Sequence, residues 1–318
     1  MRRTEKKREL VSIVIPVFNE DENVEMLYQQ LIEVVRALPF EFEIVVVDDG
    51  STDGTLATIE EIASTDPRLK AISLSRNFGH QAALIAGLEV SRGDAVITMD
   101  GDLQHPPRLI PEMLKRWKEG ADIVYSIRKN TAGVSRTKLL TARLFYAILN
   151  RIGNLGLPSN TADFRLLSRP VVEELKNMQE RSVFLRGLVQ WVGFQQSQIE
   201  YEAEQRFAGK TKYGFRSMLK FAVTGITSFS SAPLYLALVF GFLVSLVCFI
   251  YAVYIIYLKL YTTELISGFA TIVVAVLFLG GIQLITIGII GLYMGRLFEE
   301  VKQRPRYIIR RRIGKFKL

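Results

Sequence analysis

The 318-residue chain has one cysteine, Cys248, and two histidines, His80 and His105. A single thiol excludes a disulfide scaffold and any multi-cysteine zinc or iron–sulfur centre. Two separated histidines make a poor zinc site. Ten prolines and 23 glycines exclude collagen-like and low-complexity classes, and 49% hydrophobic residues exclude a disordered chain. Two phosphate-binding signatures are also missing. No G-x-G-x-x-G follows the first apolar run and no G-x-x-x-x-G-K-[ST] is present. A dinucleotide-binding Rossmann enzyme and a P-loop NTPase are therefore disfavoured.

Charge is absent from two long stretches. Phe221 to Leu258 and Leu265 to Gly295 contain no Asp, Glu, Lys or Arg. Each exceeds the roughly 20 apolar residues that a helix needs to cross a bilayer core. The spans are placed at Pro233–Leu258 and Gly268–Tyr293. Gly280, Gly281, Gly288 and Gly291 are tolerated in a membrane helix and allow close packing. Gly288 and Gly291 fall one residue short of the G-x-x-x-G spacing, so a homo-oligomer packed through these helices is compatible with the sequence without being encoded by it. Cys248 lies within the first span and reads as a small apolar residue.

The formal net charge is +8, and +7 of it lies in residues 296–318, where nine Lys/Arg face two Asp/Glu. By the positive-inside rule this tail is cytoplasmic, and two spans bring the N-terminal part back to the same side. The juxtamembrane position favours anionic lipid headgroups over nucleic acid as the partner of the basic run. The opening MRRTEKKREL is charged, and the apolar run after it is only a strand's length, so no signal peptide is expected. The resulting organisation is a basic segment at 1–10, an α/β domain at 11–214, an interfacial amphipathic helix at 215–232, two membrane helices at 233–295 and a basic cytoplasmic tail at 296–318. A second amphipathic stretch, Lys138–Ile152, is a further candidate for the membrane interface.

Within the α/β domain, β-rich runs alternate with helical ones. Strands are expected at Val11–Pro16, Glu43–Val47, Lys70–Leu74, Ala95–Met99 and Ile123–Ser126. Helices are expected at Asn23–Leu38, Thr55–Ser64, Gln81–Val90 and Pro107–Lys118. This alternation implies a parallel sheet covered on both faces, whose ligands bind beyond the carboxyl ends of the strands. The polar clusters fall at those ends: Asn19-Glu20, Asp48-Asp49, Ser75-Arg76-Asn77 and Asp100 to Gln104. Asp100-Gly101-Asp102, directly after an apolar strand, is a hard-oxygen pair suited to Mg²⁺ or Mn²⁺ together with substrate phosphates, and Gln104 can add a carbonyl oxygen.

Several motifs occur in order and at familiar spacing: Val14-Ile15-Pro16-Val17-Phe18-Asn19-Glu20, Val47-Asp48-Asp49-Gly50-Ser51-Thr52-Asp53-Gly54-Thr55 and Met99-Asp100-Gly101-Asp102-Leu103-Gln104-His105-Pro106-Pro107. They resemble the family 2 glycosyltransferases of GT-A fold, a Rossmann-like mostly parallel sheet. Ser75-Arg76-Asn77-Phe78-Gly79, Thr161-Ala162-Asp163-Phe164-Arg165-Leu166 and Gly209-Lys210-Thr211-Lys212-Tyr213 narrow the resemblance to the polyprenyl-phosphate glycosyltransferases. That group includes dolichyl-phosphate mannose synthase and the bacterial bactoprenol glucosyltransferases, and two C-terminal spans fit the bactoprenol subgroup. The departures are small: Phe18 stands where Tyr is common, and Gly101 where Ala is common.

The resemblance implies inverting transfer of a sugar from a nucleotide diphosphate to a polyprenyl monophosphate such as undecaprenyl phosphate. It implies UDP more than GDP, and glucose ahead of GlcNAc, mannose, galactose or an aminosugar. It places Pro16, Phe18, Glu20 and one or both of Asp48 and Asp49, Asp49 first, around base and ribose, with Arg76, Asp100 and Arg128 completing the donor site. A turn capped by Asp48 and Asp49 before the following helix is the alternative reading for that pair. Asp100, Asp102 and Gln104 would hold the metal, Asp102 most directly. Asp163 takes the catalytic-base position. Its roles as base or as orienting group stay open, because a phosphate monoester with a second pKa of about 6 is mostly dianionic near neutral pH. An N-cap or a salt bridge to Arg165 is the structural alternative for Asp163. Arg136, Arg165, Arg206, Lys210 and Lys212 are the candidate cations for the acceptor and the diphosphate, with Lys210–Tyr213 able to close as a lid. His105 beside the D-x-D segment lines the pocket, whereas His80 reads as structural.

Three other readings are weaker. A processive synthase of the same superfamily carries a Q-x-x-R-W motif, and Val189-Gln190-Trp191 lacks its arginine. A catalytically inactive membrane scaffold would not need Asp100, Asp102 and Asp163. A nucleic-acid-binding membrane protein leaves the aspartate motifs unexplained.

Overall fold

A computed structural model describes residues 8–128, 161–178, 180–181, 184–201, 230–261 and 268–316. Arg136, Arg206, Lys210, Lys212 and the stretches Lys138–Ile152 and Phe215–Phe229 lie outside the described residues. The first part of the chain runs β1 (Leu10–Val17), α1 (Asp21–Arg36), β2 (Glu41–Asp48), α2 (Thr55–Thr65), β3 (Leu69–Leu74), α3 (His80–Val90), β4 (Ala95–Thr98), a 3₁₀ turn (Pro107–Leu109), α4 (Ile110–Lys118) and β5 (Ile123–Arg128). These elements follow the expected alternation, with ends moved by a residue or two. Then come β6 (Thr161–Ser168), α5 (Arg169–Asn177), α6 (Leu185–Trp191), β7 (Gln196–Tyr201), α7 (Ala232–Tyr261), α8 (Phe269–Val301) and β8 (Ile309–Ile313).

Among the described residues the strands form one sheet in the order β7-β5-β6-β4-β1-β2-β3-β8. Its centre is parallel: β1 pairs with β2 and β4, and β2 with β3. β6 is antiparallel to both β4 and β5. That insertion matters for function. Thr98 at the end of β4 sits opposite Arg165, so the start of β6, with Asp163, lies beside the segment that follows β4.

The sheet is covered on both faces, which is why its central strands read as unbroken apolar runs such as Val45-Val46-Val47. On one face Val11, Ile13, Ile15 and Val17 of β1 pack with Val24, Leu27 and Leu31 of α1, Ile59 of α2 and Met113 of α4. On the other, Val14 of β1 and Val45 and Val47 of β2 pack with Ala83 and Leu84 of α3, Val172 of α5 and Leu188 of α6. Each fully buried aliphatic side chain here contributes about 1.5–3 kcal/mol of transfer free energy.

Among the described residues, two helices are long and apolar enough to cross a membrane. α7 has 30 residues and α8 has 33. At 1.5 Å per residue both exceed a hydrocarbon core of about 30 Å. The Tyr293 hydroxyl donates to the Ser230 carbonyl at 2.6 Å, joining α8 to the residues just before α7. The basic tail is not a free appendage. Ile309–Ile313 forms β8, an antiparallel edge strand on β3, with Ile72 opposite Arg312 and Ser73 opposite Arg311. An edge strand tolerates the three arginines because only Ile309 and Ile313 pack on the core, one against each side of the sheet.

Candidate active site

The donor-side residues stand on three adjoining strand ends. Pro16, near the end of β1, is buried opposite Val47. Phe18 is half-buried beyond it. Asn19 adopts a left-handed conformation, φ 54°, and ties two loops together: its N–H donates to Ser51 Oγ at 3.0 Å and its Oδ1 accepts from the Thr52 N–H at 2.9 Å. Glu20 donates its N–H to Thr55 Oγ1 at 2.9 Å, and its carboxylate accepts from Asn23 Nδ2 at 2.6 Å.

Asp48 and Asp49 are buried and fully engaged in building these loops. Asp48 Oδ1 accepts from the Ser51 N–H at 2.9 Å and Oδ2 from Ser73 Oγ at 2.7 Å. Asp49 reaches the loop before α3, where Oδ1 accepts from the Phe78 N–H at 2.7 Å and Oδ2 from the Gly79 N–H at 2.9 Å. Burial, outweighing those bonds, pushes the Asp49 carboxyl above its ordinary pKa. Gly50, at φ 72°, lets this turn touch the next loop, since a Cβ there would lie 2.6 Å from the Arg76 carbonyl carbon. Arg76 is exposed, with its guanidinium 4.3 Å from the Phe78 ring centroid. Arg128 ends β5, opposite Tyr201.

The second group gathers around Asp100 and Asp163. Asp100 Oδ1 is 2.7 Å from His80 Nε2, and its Oδ2 is 3.7 Å from His105 Nε2. The Asp100 N–H donates to His105 Nδ1 at 2.9 Å, which leaves the proton of a neutral His105 on Nε2, facing the Asp100 carboxylate. The His105 ring stacks on Phe164, 5.2 Å between centroids. Burial alone would lower the His80 pKa. The hydrogen bond it donates to Asp100 and the charges of Asp100 and Asp163 outweigh it and push His80 up to about 9. Burial likewise opposes ionisation of Asp100, and His105 and His80 reverse the balance and lower its pKa. His80 is thus tied to the D-x-D segment rather than to the distant core.

Asp102 is half-buried, and its Oδ1 accepts from the Gln104 N–H at 3.2 Å. Leu103 between them has φ 61° and is buried, a conformation that costs a leucine about 1 kcal/mol or more. Gly101 packs so closely that a Cβ would come 2.7 Å from Val17 Cγ1. An alanine here therefore requires Val17 to move. As a donor set, two carboxylates and an amide oxygen are hard ligands. Among the described residues they are not joined by further His, Cys, Asp or Glu into a closed metal cage. That composition fits a magnesium or manganese ion that also takes oxygens from substrate phosphates.

Asp163 is held by two guanidinium groups. Arg186 Nε lies 3.1 Å from Oδ1 and Nη2 2.8 Å from Oδ2, while Arg165 Nη2 also donates to Oδ1. Burial raises the cost of the Asp163 charge, but Arg186 and Arg165 more than offset it and hold the carboxyl well below the usual range. Arg165 is completely buried, with Nε and Nη1 lacking a hydrogen-bond partner. It serves Asp163 from inside the domain and is not placed on an open surface for an acceptor phosphate. Arg186 is 27% exposed and stands on α6. It was not among the expected site residues. Its signal was a charge inside the apolar run Phe184-Leu185-Arg186-Gly187-Leu188, whose neighbours are all buried.

One chain of contacts joins both groups. Asp49 holds Gly79, His80 holds Asp100, Gln81 Oε1 accepts from the Leu185 N–H at 3.1 Å, and the next residue, Arg186, holds Asp163. Both groups thus gather carboxylates and guanidiniums beyond the carboxyl ends of β1, β2 and β4. A GT-A-like mixed sheet with this rim is the architecture of a glycosyltransferase.

The chain belongs to glycosyl transferase family 2, whose model matches residues 12–176. Over 301 residues it is 42% identical to the prophage bactoprenol glucosyl transferase homolog of Escherichia coli (strain K12), covering 95% of this chain and 98% of the relative. It is 41% identical over 301 residues to the bactoprenol glucosyl transferase of Shigella phage SfII, covering 95% and 97%. Among solved structures it is similar to mannosyl-3-phosphoglycerate synthase from Rubrobacter xylanophilus, with TM-score 0.48, 20% identity, and 68% and 71% coverage.

Proposed function

We propose that this glycosyltransferase transfers a glucosyl group from UDP-glucose to a polyprenyl phosphate, undecaprenyl phosphate in bacteria, at the cytoplasmic face of the membrane. The observation that carries the reading is similarity over almost the whole chain, membrane helices included, to relatives named bactoprenol glucosyl transferases. The residues at the strand ends support it, because a reaction between two phosphorylated substrates needs cations there, from arginines or from a metal held by the aspartates.

The acceptor phosphate is the nucleophile. One of its oxygens bonds to C1 of the sugar as the bond from C1 to the diphosphate oxygen breaks, so a single displacement inverts the anomeric centre. Near neutral pH the phosphate monoester, with a second pKa of about 6, is already mostly ionised. Asp163, held by two arginines, is correspondingly suited to orient groups rather than to take a proton. Asp100, Asp102 and Gln104 would hold Mg²⁺ or Mn²⁺, which supplies positive charge to the leaving diphosphate. Pro16, Phe18, Glu20, Asp48, Asp49 and Arg76 form the wall offered to the nucleoside, with Asp48 and Asp49 shaping it through the loops they tie. Arg128 extends this wall, and Arg136, Lys210 and Lys212 are assigned to phosphate binding.

The pairing of β8 with β3 supports the topology. The tail after the second membrane helix enters the sheet of the catalytic domain, so both lie on one side of the bilayer. The positive-inside rule makes that side cytoplasmic. A polyprenyl tail also stays in the bilayer, since each buried CH₂ is worth about 0.8 kcal/mol.

The test is transfer of radiolabelled sugar from a panel of UDP- and GDP-sugars to undecaprenyl phosphate by the purified full chain. Wild type and Asp102→Ala are compared with Mg²⁺, Mn²⁺ or EDTA. A lipid-soluble product from UDP-glucose, lost with EDTA and in the variant, is expected. A product from a different donor corrects the sugar. No product with any donor, or a variant that keeps full activity, overturns the reading.

A further inference from the structure

The segment that leaves α8 does more than add an edge strand. Glu300, in the last turn of α8, accepts from the Arg181 N–H at 2.8 Å, and the Arg181 guanidinium donates to the Arg304 carbonyl. Arg306 reaches the same run: Nε donates to the Glu180 carbonyl at 2.9 Å and Nη2 to the Met178 carbonyl. The chain then passes Glu89 of α3, which accepts from the Tyr307 hydroxyl, before entering β8. Met178, Glu180 and Arg181 connect α5 to α6, and α6 carries the arginine that grips Asp163.

We propose that residues 300–308 form a positioning strap. By holding Met178, Glu180 and Arg181 beside the end of the second membrane helix, the strap fixes the start of α6 and so the placement of Arg186 on Asp163. Arg181 and Arg306 are positioning residues that act through Arg186. The arrangement ties the geometry of the active site to the helix that anchors the enzyme near its lipid acceptor. A helix as short as α6, whose Leu185 N–H donates to the Gln81 side chain, has little rigidity of its own and depends on its flanks. The catalytic consequence rests on the glycosyl-transfer reading above. The mechanical one does not.

The experiment uses the full chain in detergent and two readouts, steady-state transfer and hydrogen exchange at the α6 amides. Arg306→Ala and Arg181→Ala are compared with Arg306→Lys and with Arg311→Ala, which breaks the ion pair from β8 to Glu60 of α2 and leaves the strap untouched. For Arg306→Ala we expect kcat to fall about tenfold, the effect of losing one or two charge-assisted hydrogen bonds. Donor KM and the melting temperature stay near wild type. Exchange at α6 accelerates by about the same factor. Arg181→Ala acts in the same direction, Arg306→Lys recovers part of both effects, and Arg311→Ala changes neither. Unaltered α6 exchange in Arg306→Ala and Arg181→Ala overturns the strap. So does a loss of kcat that follows a fall in melting temperature, or one shared by Arg311→Ala. If wild type transfers no sugar, the functional reading fails while the exchange measurement still decides the strap.

Discussion

Arg186 meets Asp163 as a fork, with Nε 3.1 Å from Oδ1 and Nη2 2.8 Å from Oδ2. Arg165 donates to the same Oδ1 from within the core. Two guanidiniums on one carboxylate depress its pKa and make it a poor proton acceptor. The pH dependence follows. Activity should fall as pH drops below about 6, where the acceptor phosphate takes up its second proton. Asp163 stays ionised throughout that range. The acid limb of kcat/KM should therefore sit at the same pH in Asp163→Asn as in wild type, at a lower plateau. A limb that disappears in the variant would mean that Asp163 is the base after all.

Arg186 and Asp163 should also behave as one unit. Arg186→Ala and Asp163→Asn each remove charge-assisted hydrogen bonds worth about 1.5–3 kcal/mol, or about 10- to 100-fold in rate. The double variant should lose far less than the product of the two, because either change alone dismantles the same contact. Stability separates the two arginines. Asp163→Ala leaves Arg165 as an uncompensated buried charge and should cost about 3–5 kcal/mol in denaturant unfolding. Arg186→Ala, at a partly exposed position, should cost much less. Equal losses would show that Arg165 finds another counterion.

Gly50 offers a test of the donor wall. Its φ is 72°, and a Cβ added there would come within 2.6 Å of the Arg76 backbone, which leaves no room for a side chain. Gly50→Ala should destabilise the domain by about 1–3 kcal/mol through backbone strain. It should also raise the Kd for the nucleoside diphosphate, since the turn holding Asp48 and Asp49 must shift. Calorimetric titration with UDP checks the second effect, and unchanged binding would separate this turn from the donor site.

How much of this was legible in the sequence varies along the chain. β1 to α4 were readable because parallel strands buried on both faces give continuous apolar runs, and α1 and α4 carry a clear 3.6-residue period. β8 was not, because three of its five residues are arginine and composition made it look like a lipid-binding tail. Only pairing across more than 200 residues turns Ile309 and Ile313 into strand positions. The same holds at the site. Asp100 and Asp163 were visible within local motifs, and so was the salt bridge between Asp163 and Arg165, two residues apart. The links from His80 to Asp100 and from Arg186 to Asp163 join residues on separate elements, and spacing along the chain carries no trace of them.

Away from the site, Asp66 sets an acid limit on stability. It accepts from the Arg68 N–H at 2.9 Å, from Arg68 Nη2 at 2.7 Å and from the Tyr28 hydroxyl at 2.5 Å. Burial opposes its ionisation, but Arg68 and Tyr28 prevail and hold it at about 2. In the unfolded chain an aspartate titrates near about 3.9. The folded state is thus favoured whenever Asp66 is ionised. That stabilisation is complete above the unfolded value and disappears as pH falls from about 4 through 2. Arg68 is more than one-third exposed, so screening limits the contribution to about 1 kcal/mol. Asp66→Asn should lower the urea midpoint at pH 7, and the gap from wild type should close between about pH 4 and about pH 2. A gap that persists undiminished to the acid end would assign the stabilisation to packing of the loop after α2 rather than to the charge on Asp66.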